Sequence, residues 1–184
     1  MKVLKHIVFI VIICVQSSFC QELLVSEKQS KYSFPLIYPK GNATLYIDRS
    51  EEKVIHIAAG ELIKDIVAVT DQKIHLVHSQ PSKSNNVIIA GTIGSSEWID
   101  KLIASKKVDV SDIEGKWEAF KIVQISNLSK GINKALVVIG SDRRATAFGL
   151  FEISRKIGVS PFYWWADIVP TKKKALYLSV NQDI

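Results

Sequence analysis

The stretch Ala135-Leu136-Val137-Val138-Ile139-Gly140-Ser141-Asp142-Arg143-Arg144, running on to Ile157-Gly158, decides the fold of this chain. Five consecutive apolar residues suit a strand buried on both faces. Asp142 is a helix-capping residue type, and Thr146, Leu150, Ile153 and Ile157 then recur on one helical face. Gly158 supplies the stop. A second apolar run followed by a loop and a helical segment lies upstream. Asn86-Val87-Ile88-Ile89-Ala90 is again continuously apolar, the loop Gly91-Thr92-Ile93-Gly94-Ser95-Ser96 follows, and a helix is predicted from about Glu97 to Ser105.

Working outward, Ser50-Glu51-Glu52 reads as a capping residue followed by first-turn acids. Ile55, Ala58, Leu62, Ile66 and Val69 then predict an amphipathic helix of about twenty residues. Further strands are expected at Leu23–Ser26, Ile74–Val77, Trp117–Ile125 and Leu176–Val180. Ser33–Pro39 is extended, Gly41-Asn42 marks a turn, and Thr44–Asp48 completes a hairpin-like pair. Strands and helices interleave without an internal repeat or a low-complexity linker. The expected class is therefore α/β, with a mixed β-sheet and packed helices.

The chain has 184 residues, 47% of them hydrophobic, enough for one domain with a substantial core. Residues 1–20 read as a secretory signal peptide: Lys2 and Lys5 precede the apolar run Ile7–Val15, and Ser18-Phe19-Cys20 precedes Gln21. The apolar run is too short to span a membrane. Lipidation at Cys20 is the alternative, disfavoured by Phe19. The expected location is secreted or periplasmic. Both cysteines, Cys14 and Cys20, fall within the leader, so neither a disulfide framework nor a thiolate zinc site is expected. Without Lys2 and Lys5 the 24 basic residues become 22 against 18 acidic, a mild balance of +4. That excess is dispersed apart from Lys172-Lys173-Lys174, and no nucleic-acid partner is expected.

The residues that carry candidate chemistry are few. Gly91-x-x-Gly94-Ser95 meets neither the dinucleotide fingerprint nor the lysine-bearing phosphate loop, and reads as a tight turn with Ser95 or Ser96 as helix cap. His75 and His78 flank a strand and would face opposite sides, so no metal site is expected. No serine elbow is present. The carboxylates are scattered, with no evident catalytic pair. Arg143 and Arg144 are first-turn residues whose guanidinium groups can bind a carboxylate bidentately. Val159-Ser160-Pro161-Phe162-Tyr163-Trp164-Trp165-Ala166-Asp167 places three aromatics side by side, with flat apolar faces and polar edges. Trp164, Trp165, Asp167 and Arg143 are therefore the candidate residues for a sugar contact or a domain–domain seam.

Three segments together resemble one enzyme family. They are Ile89–Ser95 with Trp98–Ile103, Ile113–Phe120, and Gly140–Glu152 continuing through Ile157–Asp167. The order and spacing are similar to the N-terminal domain of glycoside hydrolase family 115, the xylan α-1,2-glucuronidases, from about Phe34 to Tyr177. Ala145, where the family often has glycine, and Phe162, where tryptophan is common, are mild departures. The resemblance implies a small α/β module similar to the second domain of β-hexosaminidases. It also implies a catalytic TIM barrel that follows the module and carries the catalytic carboxylates. Such a barrel needs about 200 residues or more, so no catalytic residue is carried over to this chain.

The sequence thus predicts a signal peptide over 1–20, an α/β accessory domain over 21–170, and a C-terminal strand over 171–184 that starts a connection to an absent barrel. No cofactor is expected. The implied partner is a catalytic barrel or a separately encoded subunit, with xylan as a further candidate. A stand-alone carbohydrate-binding or barrel-docking module is the alternative.

Overall fold

A computed structural model describes residues 22–81 and 84–180, apart from the Trp164 side chain. The leader expected over 1–20 lies outside the described residues. Among the described residues, nine strands and four helices follow in the order β1 (Leu23–Ser26), β2 (Phe34–Tyr38), β3 (Gly41–Asn42), β4 (Thr44–Ile47), α1 (Lys53–Thr70), β5 (His75–Val77), β6 (Asn86–Thr92), α2 (Glu97–Ala104), β7 (Phe120–Ser129), β8 (Ile132–Gly140), α3 (Arg143–Ile157), α4 (Tyr163–Ala166) and β9 (Leu176–Val180).

The strands form two sheets. The larger has the order β5-β4-β6-β8-β7. Its first four strands are parallel and β7 runs antiparallel to β8, so the sheet is mixed. The smaller sheet, β1-β9-β2-β3, is antiparallel. The class is α/β, as the residue pattern predicts.

The two apolar runs become the middle of the large sheet. Every residue of β6 is buried, and so is Ala135–Gly140 of β8. The two-residue period divides their side chains between two cores. Ile88, Ala90, Leu136 and Val138 join α1, α3 and the smaller sheet. Val87, Ile89, Ala135, Val137 and Ile139 join α2 and the loop residues Val108, Val110 and Ile113. Helices therefore cover both faces, which is why these runs are apolar throughout rather than alternating.

Helix ends follow local chemistry. Asp142 caps α3 through Arg144 N–H and Ala145 N–H, and Gly158 ends it at φ 110°. Ser96 caps α2 by accepting from Ile99 N–H. α1 departs from expectation. Its N-cap is Glu52, with no side-chain cap, and its first turn holds no acid. Ser50 is drawn away instead, its hydroxyl lying between two acceptors for its one proton, Asp48 Oδ1 and the Ser95 carbonyl.

Two further expectations are corrected. β2 and β4 do not form a hairpin: Gly41-Asn42 pairs with the end of β2, and β4 crosses to the other sheet to lie parallel between β5 and β6. Leu45 and Ile47 are buried against one helical layer and Tyr46 against the other, so β4 needs a place covered on both faces. Trp117 is not in a strand; β7 begins at Phe120, because the Glu118 backbone turns through φ 52°.

Gly140 is fixed by close approach. A Cβ there would overlap the Thr146 backbone nitrogen and the Asp142 carbonyl, neither of which can move without breaking the α3 cap. Gly140→Ala is expected to lose at least about 1–3 kcal/mol, the usual cost of overpacking. Gly60, mid-helix in α1 with open space around it, is the control. Gly60→Ala should gain about 0.5–1 kcal/mol. Urea denaturation of both variants checks this; equal stabilities would contradict it.

Candidate functional site

Open α/β sheets bind ligands beyond the carboxyl ends of their parallel strands. Besides the segment after β5, three loops leave that edge here: Asp48–Glu52 after β4, Ile93–Ser96 after β6, and Ser141-Asp142 after β8. They are tied together. Thr92 N–H donates to Glu51 Oε1 at 2.6 Å, and the Thr92 and Thr146 hydroxyls lie 2.8 Å apart. Ile93 N–H donates to the Gly140 carbonyl at 3.0 Å. Glu97 N–H donates to Asp48 Oδ2 at 3.2 Å.

A cleft of about 550 Å³ opens on this edge between Glu52, Thr92 and Ser95 on one side and Gly115–Trp117 and Ser141–Arg144 on the other. Trp117 projects into solvent at its rim and is 79% exposed. Asp142 holds the wall by accepting Arg144 N–H, Ala145 N–H and Glu118 N–H, and these donors hold its carboxyl below the usual range against the opposing effect of burial. Arg144 is occupied by Glu118 at 2.8 Å. Arg143 is held more loosely: its nearest carboxylate, Glu52, is 3.8 Å away, and its side chain is 62% exposed.

Glu51 sits beneath this edge, 5% exposed, with Oε2 lacking any hydrogen-bond partner among the described residues. Burial pushes its carboxyl up, with smaller contributions from Asp48 and Asp100, against the lowering effect of Thr92 N–H. Asp48 moves the other way. Burial raises it, but donors from Ser50, Glu97 and Tyr46 outweigh that and bring it below the ordinary value. The Tyr46 hydroxyl, buried and donating to Asp48, is pushed up to about 12. Among the described residues, no group of three or more His, Cys, Asp or Glu side chains is placed to hold a metal ion.

The structure separates the residues singled out by the sequence. Arg143 opens α3, whereas Trp165 and Asp167 lie beyond its other end. Fifteen residues at 1.5 Å rise put the two ends about 22 Å apart. The chain after α3 turns compactly, with Pro161 lining a groove beside Phe151 and Arg155 of the last helical turns. Trp165 is 87% exposed, and Asp167 adopts φ 48° as it ends α4. The Trp164 side chain lies outside the described residues. Among the described side chains of this segment, Phe162, Tyr163, Trp165, Ala166 and Asp167 do not line the carboxyl-edge cleft. Trp117 does not stand out in the sequence as a site residue, because its alternating context resembles a strand; the Gly115 turn beside it is the available signal.

No protein-family model matches the chain, and no curated protein matches it. Among solved structures, one described as "a novel family GH115 4-O-Methyl-alpha-glucuronidase, BtGH115A, with specificity for decorated arabinogalactans" is similar. Sequence identity is 34% and the TM-score 0.59, over 77% of this chain but only 17% of that one. The resemblance to family GH115 therefore holds in sequence and in fold, and this chain spans about a sixth of that enzyme's length.

Because Glu51 binds its proton more tightly folded than unfolded, protonation favours the folded state. This contribution is complete below the ordinary glutamate value of about 4.3 and is lost as pH rises through the raised folded value. Glu51→Gln keeps an oxygen for Thr92 N–H and removes the charge. Its stability should therefore lack that fall, and the variant should gain on the parent as pH rises from about 4 to 8. Denaturant titrations across this range check it; parallel pH profiles for the two proteins would contradict it.

Proposed function

We propose that this chain is a non-catalytic accessory domain of a secreted, family GH115 type α-glucuronidase that acts on glucuronic-acid-bearing plant polysaccharide. The observation that carries this reading is the match itself: most of this chain aligns with about a sixth of a glucuronidase. The remainder of such an enzyme leaves room for a catalytic barrel, which the described residues, with two sheets and four helices, do not contain. The barrel is supplied as a further domain or as a separate subunit. Residues 21–170 together with β9, which pairs between β1 and β2, form the module.

The seam lies at the far end of α3. Phe162, Trp165, Ile168 and Val169 are exposed within eight residues, and an apolar surface gathered this way marks an interaction site. Phe151 on α3 is exposed beside Pro161, next to this segment. Trp165 and Asp167 contact the barrel there.

The polymer is xylan in the reading from sequence, whereas the solved relative carries specificity for decorated arabinogalactans in its description. Both polymers therefore belong in the test. A stand-alone carbohydrate-binding module is the second reading, favoured by the exposed Trp165 indole.

The purified chain is expected to release no glucuronic acid, or its 4-O-methyl ether, from glucuronoxylan or arabinogalactan. Release above a blank would overturn the non-catalytic assignment. Affinity electrophoresis on both polymers separates the second reading: retardation that Trp165→Ala abolishes would favour the binding module over a buried seam.

A further inference from the structure

We infer that the carboxyl-edge cleft is a binding site for a uronate, a pyranose bearing a carboxylate, formed by Trp117, Arg143 and Lys116. This site lies at the opposite end of α3 from the aromatic seam and does not depend on the docking reading.

Several charges around the cleft are already satisfied. Asp142 spends both oxygens on three backbone N–H groups. Arg144 is paired with Glu118 at 2.8 Å, so this pair forms a neutral wall. Two cations remain. Arg143 has only Glu52, at 3.8 Å and without a hydrogen bond. Lys116 has no ion-pair partner among the described residues, and both residues line the cleft. A planar guanidinium with free N–H groups matches the two oxygens of a carboxylate, and an ammonium adds a second charge.

The rest of the cleft suits a sugar ring better than a bare anion. Trp117 presents an exposed indole at the rim, a flat apolar surface of the kind that stacks on the C–H face of a pyranose. Ser141 Oγ accepts Ala119 N–H and keeps its own proton to donate. A volume of about 550 Å³ is in the range of small-ligand sites and holds one sugar residue with part of a neighbour. The walls are fixed before any ligand arrives, by the Asp142 cap and by the Ser141 N–H bond to the Ala119 carbonyl. Pre-set walls reduce the ordering cost of binding.

The test is a titration of the ¹⁵N-labelled full chain, followed by ¹H–¹⁵N correlation spectra. The probes are D-glucuronate, D-glucose and acetate. Glucuronate should shift the Trp117 indole N–H and the Gly115 and Lys116 amides saturably, more tightly than either glucose or acetate. Arg143→Ala and Lys116→Ala should each weaken binding several-fold, and added salt should weaken it further. Lys116 lies in a loop, so its variant reports on binding even if Arg143→Ala disturbs the start of α3. The inference is overturned if glucuronate produces no saturable shift at these residues. It is also overturned if glucose binds as tightly, or if both variants bind like the parent. A barrel-docking seam at Trp165 would be unaffected by either result.

Discussion

Thr92 ties the functional edge together. Its N–H donates to the buried Glu51 carboxylate, its hydroxyl meets that of Thr146, and its carbonyl accepts from Ser95 N–H and Ser96 N–H. One residue at the end of β6 thereby fixes the loop after β4, the turn into α2 and the first turn of α3. Each connection is buried or partly buried, where an unmade hydrogen bond would be costly. The arrangement requires Gly140 beside it, because α3 starts close against the end of β8. The unpartnered Glu51 oxygen is the remaining cost of this knot.

The knot also sets the division of labour. α3 begins on the carboxyl edge and ends near the compact turn that carries Phe162 and Trp165. A domain built this way has two separate surfaces. One is polar, pre-shaped and bordered by loosely held cations. The other is apolar and exposed, as a surface awaiting a neighbouring domain would be.

Much of the fold was legible in the sequence, for definite reasons. Asn86–Ala90 and Ala135–Ile139 are apolar throughout because helices cover both sheet faces, and few strand environments other than a doubly covered one produce such runs. Asp142 and Gly158 bound α3 by local chemistry alone. Sequence and structure part where tertiary contacts prevail. Ser50 has the chemistry of a cap, yet its hydroxyl goes to Asp48 and Ser95, contacts made only once the loops converge. Thr44–Ile47 alternates as a hairpin strand would, yet its two faces belong to two cores. The candidate site was half legible. Arg143 and Trp165 stood out by residue type, but their separation by the length of α3 is visible only in the fold. Trp117 and the buried Glu51 gained their meaning from neighbours distant in sequence.

Hydrogen exchange distinguishes the two surfaces. Backbone exchange would be followed for this chain alone and with a family GH115 catalytic module lacking its own N-terminal domain. The account predicts new protection over Phe162–Val169, while exchange at Gly115–Trp117 stays unchanged. Protection centred on Gly115–Trp117 instead, or none at either place, would contradict it.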